Sequence, residues 1–129
     1  MVEKDVIRTD KAPGPFQGAP YNQAIRVGDL VFVAGQLGIS LETGALAGAG
    51  VTEHTEQIMK NMGAILEAAG SGLDMLVKTT VFLMDLADFG AMNEVYAQHV
   101  GDRPPARSTV QISGLPSGAL VEIEAVAHL

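Results

Sequence analysis

The sequence predicts an α+β fold, two helices packed on one face of a sheet in the order β-β-β-α-β-α-β-β. Three observations predict it: a hairpin signal at 24–35, an amphipathic helix at 52–70, and an apolar strand at 77–85 followed by a second helix and two closing strands. At 129 residues the chain has the size of a single domain, 1–129, with room for one core.

The elements follow in order. The opening "MVEKDVIRTD" is charged and lacks the apolar core of a secretory signal. "KAPGPFQGAP" (11–20) is rich in Pro and Gly and reads as an irregular loop delivering Tyr21. "AIRVGDLVFVAG" (24–35) is strand, Gly-Asp turn, strand. A loop spans 38–50. In "TEHTEQIMKNMGAILEAAG" (52–70), Thr52 is placed as N-cap, Glu53 suits the positive helix start, and Ile58, Met62, Ile65, Leu66 and Ala69 form one apolar stripe ended by Gly70. "VKTTVFLMD" (77–85) is apolar on both faces, as a central or interface strand would be. Asp88 then caps a helix over 89–100, stopped by Gly101. Residues 103–129 read as two strands around a Gly/Pro turn, a closing hairpin.

Composition narrows function. A hydrophobic content of 47% is high for so small a domain, so part of the apolar surface is expected between subunits. The net charge of −7, eight scattered basic residues and the absence of Trp argue against a nucleic-acid partner, which needs a basic stripe. Without Cys there is no disulfide, thiolate nucleophile or cysteine metal site. No apolar run approaches the roughly 20 residues of a membrane span, and a cytoplasmic protein is expected.

Most candidate sites have plain readings. "GAGVT" (48–52) before a helix has the look of a phosphate loop, but no strand immediately precedes it and no Lys-Ser/Thr pair follows. His54, His99 and His128 share no ligand spacing and read as surface or terminal residues, with no metal expected. Met59, Met62, Met84 and Met92 read as core filler. Lys78 reads as structural or solvated, and Ser108 has no evident partners for a hydrolase triad. The closing strands differ. Alternation puts Arg107, Thr109 and Gln111 on one face, and Leu120, Glu122, Glu124 and Val126 on one face of the next strand. If the two strands pair, an Arg-acid cluster can form. It is either an ordinary surface ion pair or a site in which a guanidinium holds a carboxylate and an acid handles a proton.

"PARSTVQISGLPSGALVEIEAVA" (105–127) resembles the signature of the reactive-intermediate deaminases, the Rid or YjgF family. The likeness continues through "APYNQAI", "VGDLVFVAGQ", "ETGAL", "AILEAAG" and "VKTTVFLMDLADFGAMNEVY", in order over nearly the whole chain. The resemblance implies a chorismate-mutase-like fold, a homotrimer with clefts between subunits, and hydrolysis of 2-imino acids or their enamine tautomers to 2-oxo acids and ammonia. It further implies that Arg107 clamps the substrate carboxylate and that Glu122 positions or activates water. Tyr21, Asn93, Thr109 and the Gly35 backbone would line the pocket, with Glu124 structural and no cofactor required. Two departures, Ala34 where the family carries Ser and "GAPY" for "GPY", bear on substrate preference. A non-catalytic trimer binding small carboxylates through Arg107 is the alternative. An RNA-acting role is disfavoured by the charge.

Overall fold

The computed structural model describes residues 2–129. A six-stranded mixed sheet carries two α-helices on one face. In chain order the elements are β1 (Lys4–Ile7), β2 (Ala24–Val27), β3 (Leu30–Leu37), α1 (Val51–Ala68), β4 (Leu76–Leu83), α2 (Phe89–Val100), β5 (Ala106–Gln111) and β6 (Val121–His128). This is the expected α+β order. The first strand falls in the charged opening segment, whose composition carries no strand signal. It is an edge strand with its three leading residues exposed, so its composition is that of a surface.

The spatial order is β1-β2-β3-β6-β4-β5, and here one expectation fails. β5 and β6 do not form a hairpin, because β4 lies between them. The cause is the α2 crossover, which returns the chain parallel to β4 and takes one of its edges. β6 fills the other edge, antiparallel to both β4 and β3. The Gly/Pro segment that reads as a tight turn is an arch over the end of β4, where Ile112 N–H donates to Leu83 O at 2.9 Å and Met84 N–H to Leu120 O at 3.1 Å.

The core lies between helices and sheet. Ile58, Met62, Ile65 and Leu66 of α1 are fully buried against Val31, Val81, Val121 and Ile123. Burying each such side chain contributes about 1.5–3 kcal/mol. Met59 and Met92 are core residues, as expected. The opposite sheet face carries Lys78, Thr80, Phe82, Glu122, Glu124 and Val126, with Phe32 and Val110 exposed.

The "GAGVT" segment has a structural explanation. The helix begins at Val51 with Gly50, not Thr52, as N-cap, and Gly50 N–H donates to Glu53 Oε1 at 3.1 Å. Glu53 folds back over the loop so closely that a Cβ on Gly48, whose φ is +74°, would lie 2.8 Å from its Cγ. The helix start already holds its anion. At α2, Asp88 occupies the N-cap position without a capping bond; Asp85 instead accepts from Ala87 N–H in the preceding turn.

His54 is not a surface residue. It is 2% exposed and accepts from Leu120 N–H at 3.4 Å through Nδ1, leaving Nε2–H to donate to Gly48 O at 3.1 Å. The ring ties the loop before α1 to the arch before β6. His54→Leu leaves both backbone groups unpaired, at about 1–3 kcal/mol each. We expect a lower urea midpoint with an unchanged denaturant slope; an unaltered midpoint would show that the ring only fills space.

Candidate functional site

A cavity of about 440 Å³ opens beside the C-terminal half of β3. Its walls are largely apolar, from Phe16, Tyr21, Leu37, Ile39 and Pro116, with Glu122 as its one carboxylate. The Pro/Gly loop forms one wall and is held by buried Gln23, whose Oε1 accepts from Thr9 N–H at 2.7 Å. The Gln23 Nε2 donates to the carbonyls of Thr9, Ala12 and Pro13 at 3.1, 3.1 and 2.9 Å. Tyr21 Oη accepts from the Phe16 amide and closes the loop on itself. The opposite wall hangs from α1 through Asn61 Nδ2, which donates to Ile39 O at 3.0 Å.

Glu122 reaches the cavity because β3 carries a bulge. Val33 pairs with Ala125 and Gln36 with Ile123, so β3 spends one more residue than β6 between these rungs. The extra residue lies at Ala34–Gly35, and Gln36 Nε2 bridges it by donating to Ala34 O at 3.0 Å. Gly35 packs directly on the acid: a Cβ there would stand 2.8 Å from Glu122 Cδ. Burial raises the Glu122 pKa above the usual 4.5, and the neighbouring Glu124 charge raises it further. Glu122 and Glu124 share the face opposite the helices, with Glu124 the more exposed.

Arg107 lies elsewhere. It is on edge strand β5, on the helix side, paired with Thr79. Its Cζ stands 4.9 Å from the Tyr96 ring centroid and 5.4 Å from that of Phe89. Thr109 follows on the same face. Asn93, between the two aromatic residues on α2, has a buried Oδ1 without a hydrogen-bond partner among the described residues. No carboxylate among them pairs with Arg107.

The candidates therefore form two groups: Tyr21, Gly35 and Glu122 at the cavity, and Asn93, Arg107 and Thr109 at the sheet edge. Between Arg107 and Glu122 lie two strand spacings, three residues of offset and the sheet itself, well over about 10 Å. The single-chain Arg-acid cluster does not form. The sequence held the signal for this, since a central β4 needs neighbours on both edges. For Phe89 and Tyr96 the signal is their spacing on α2, which forms one stripe with Asn93. Among the described residues no three His, Asp or Glu side chains gather to hold a metal ion.

Gly35→Ala tests the close approach at the bulge. The obstructed atoms are the mobile end of a side chain, so stability should change by no more than about 1 kcal/mol. The carboxyl must leave its place, and the acid-range titration of Glu122, followed by side-chain carbon NMR, should move toward the ordinary value. An unmoved titration would show that Gly35 does not set the acid's position.

The chain matches the family model described as Endoribonuclease L-PSP over residues 9–129. It is 49% identical over 125 residues to a RutC family protein of Pyrococcus abyssi, covering 97% of each chain. It is 46% identical to the Homo sapiens protein named 2-iminobutanoate/2-iminopropanoate deaminase, covering 95% of this chain and 88% of that one. The crystal structure of RidA from Psychrobacter sp. PAMC 21119 superposes with a TM-score of 0.91 at 42% identity, covering 97% of this chain and 99% of that one. With sequence, fold and length all in agreement, the chain belongs to the Rid/YjgF family.

Proposed function

We propose that this chain, a single domain over 1–129, is a cytoplasmic hydrolase of reactive 2-imino acids. It would act as a homotrimer whose sites join Arg107, Asn93 and Thr109 of one subunit to Tyr21, Gly35 and Glu122 of the next. The observation that carries the reading is the state of Arg107: a guanidinium held against two rings, with no protein carboxylate paired to it among the described residues. A ligand carboxylate is the natural complement. The relatives named as imine deaminases support the reaction. The exposed Phe32 and Val110 on the uncovered sheet face support subunit contact there. The charge of −7 supports a small-molecule partner over a polyanion.

The reaction needs few groups, because a protonated imine is already electrophilic. Arg107 anchors the carboxylate and the apolar walls exclude bulk water. Glu122 takes a proton as water oxygen bonds to C2, and returns it to the nitrogen of the resulting carbinolamine. The C–N bond then breaks, the hydroxyl proton leaves, and a 2-oxo acid and ammonia result. A raised pKa makes the ionised Glu122 a stronger proton acceptor than a solvated carboxylate. The same constellation without turnover would be a carboxylate-binding protein; ammonia release separates the two.

Ammonia should be released from 2-imino acid generated in situ by an amino-acid oxidase. Arg107→Ala should lose at least tens-fold in rate, since a charged contact of this kind is worth about 2–5 kcal/mol. Glu122→Gln should lose roughly 10²–10⁴-fold. Each variant should keep its circular dichroism and a scattering mass about three times that of the chain. Co-refolding the two inactive variants should restore part of the activity, because some interfaces then combine an intact half from each. A mixture that stays inactive would refute the shared site, and unchanged Arg107→Ala would refute the anchor.

The pH profile offers a separate check. Glu122 must be ionised to accept a proton, so kcat/KM should rise with pH through its raised pKa. Glu124→Gln removes one of the two causes of that rise, and the acid limb should shift to lower pH while the plateau holds. A raised carboxyl pKa favours the folded state below about pH 4.5 and loses that contribution as pH climbs through the folded value. An acid limb unaffected by Glu124→Gln would assign it to another group.

A further inference from the structure

From the packing around Arg107 we propose that Tyr96, locked by Thr79, is a positioning residue: it fixes the plane of the Arg107 guanidinium and so sets the affinity for the substrate carboxylate. This rests on the reading of Arg107 as the anchor. The geometry is a closed unit. Thr79 pairs with Arg107 across the β4–β5 ladder. Its Oγ1 is 2.7 Å from Tyr96 Oη, and the two residues are 1% and 5% exposed. The Tyr96 ring centroid lies 4.9 Å from Arg107 Cζ, so ring and guanidinium are referred to the same rung of the sheet. Phe89, at the start of α2, offers a second ring at 5.4 Å but is itself 42% exposed.

An aromatic partner does something an acidic partner could not. A carboxylate would occupy the N–H edges of the guanidinium, the same edges a ligand must use. A ring takes its charged face and does not fill the fork of donors as a carboxylate would. An unheld Arg side chain would lose rotamer freedom when a ligand bound; one already stacked has less to lose. Because stacking alone would let the ring slide, the Thr79 hydroxyl is needed to hold Tyr96. Burial raises the Tyr96 pKa, though the Thr79 bond, the Arg107 charge and a hydrogen bond with Arg107 pull against it, so the phenol stays neutral and does not compete for the guanidinium as an anion.

The test reads Arg107 directly in labelled protein, with pyruvate as the carboxylate probe. In the wild type its Nε–H signal, assigned by its loss in Arg107→Ala, should be displaced by ring currents and should move again on titration with pyruvate. Tyr96→Leu should abolish the ring-current displacement and weaken pyruvate binding about 3- to 30-fold. Tyr96→Phe should keep the displacement, because the ring remains, and weaken binding a few-fold, because the bond to Thr79 is lost. Thr79→Val, which removes only the lock, should broaden the Arg107 signal and weaken binding a few-fold, giving a result even if Tyr96→Leu does not fold. A wild-type signal blind to pyruvate would overturn the anchor and the positioning role together. Pyruvate binding with wild-type affinity in both Tyr96→Phe and Thr79→Val, with the Arg107 signal equally sharp, would overturn the positioning role alone.

Discussion

The parallel pairing of β4 with β5 is the constraint from which the arrangement of functional groups follows. A crossover through α2 must return the chain parallel to β4, which makes β5 the edge of the sheet and commits β6 to β4's other side. Register then decides the rest. Arg107 aligns with Thr79 on the helix side, while Glu122 aligns with Phe82 on the opposite face. One chain thus displays a cation at its rim and an acid at its centre, turned away from each other. The fold is a complete packing unit whose cation and acid stay apart.

The two groups are held by opposite means. Glu122 is placed where its charge is costly: partly buried, beside Glu124, in a cavity whose other walls are mostly apolar. Such a group holds a proton more readily than a solvated acid. Arg107 is placed where its charge is supported without being neutralised, on the faces of Tyr96 and Phe89. Within one chain the two do not meet, so neither the acid's pKa nor the guanidinium's fork of donors is altered by the other.

Buried polar side chains do the remaining work of holding loops that hydrophobic packing cannot grip. Gln23 makes four hydrogen bonds to the backbone of residues 9–13. His54 and Asn61, both on α1, hold Gly48, Leu120 and Ile39. These segments are rich in Pro and Gly and have little apolar surface of their own. Satisfied polar contacts in a low-dielectric setting give them a defined position, and the cavity walls inherit it.

By itself the sequence determined the helices, the hairpin, the core stripe of α1 and the family, because these depend on periodicity, turn chemistry and motif order along the chain. It also placed Glu122 and Glu124 on one face, since alternation needs no partner strand. Only tertiary structure decided which strand lies beside which. Two consecutive strands around a Gly/Pro turn look the same whether they pair directly or arch over a third, and the difference moved Arg107 to the far face from Glu122. The burial of His54 was equally invisible, for a histidine's environment is set by the loop and arch that meet over it. Strand order, burial and the Tyr96–Arg107 contact arise between segments distant in the chain, and local pattern carries no record of such contacts.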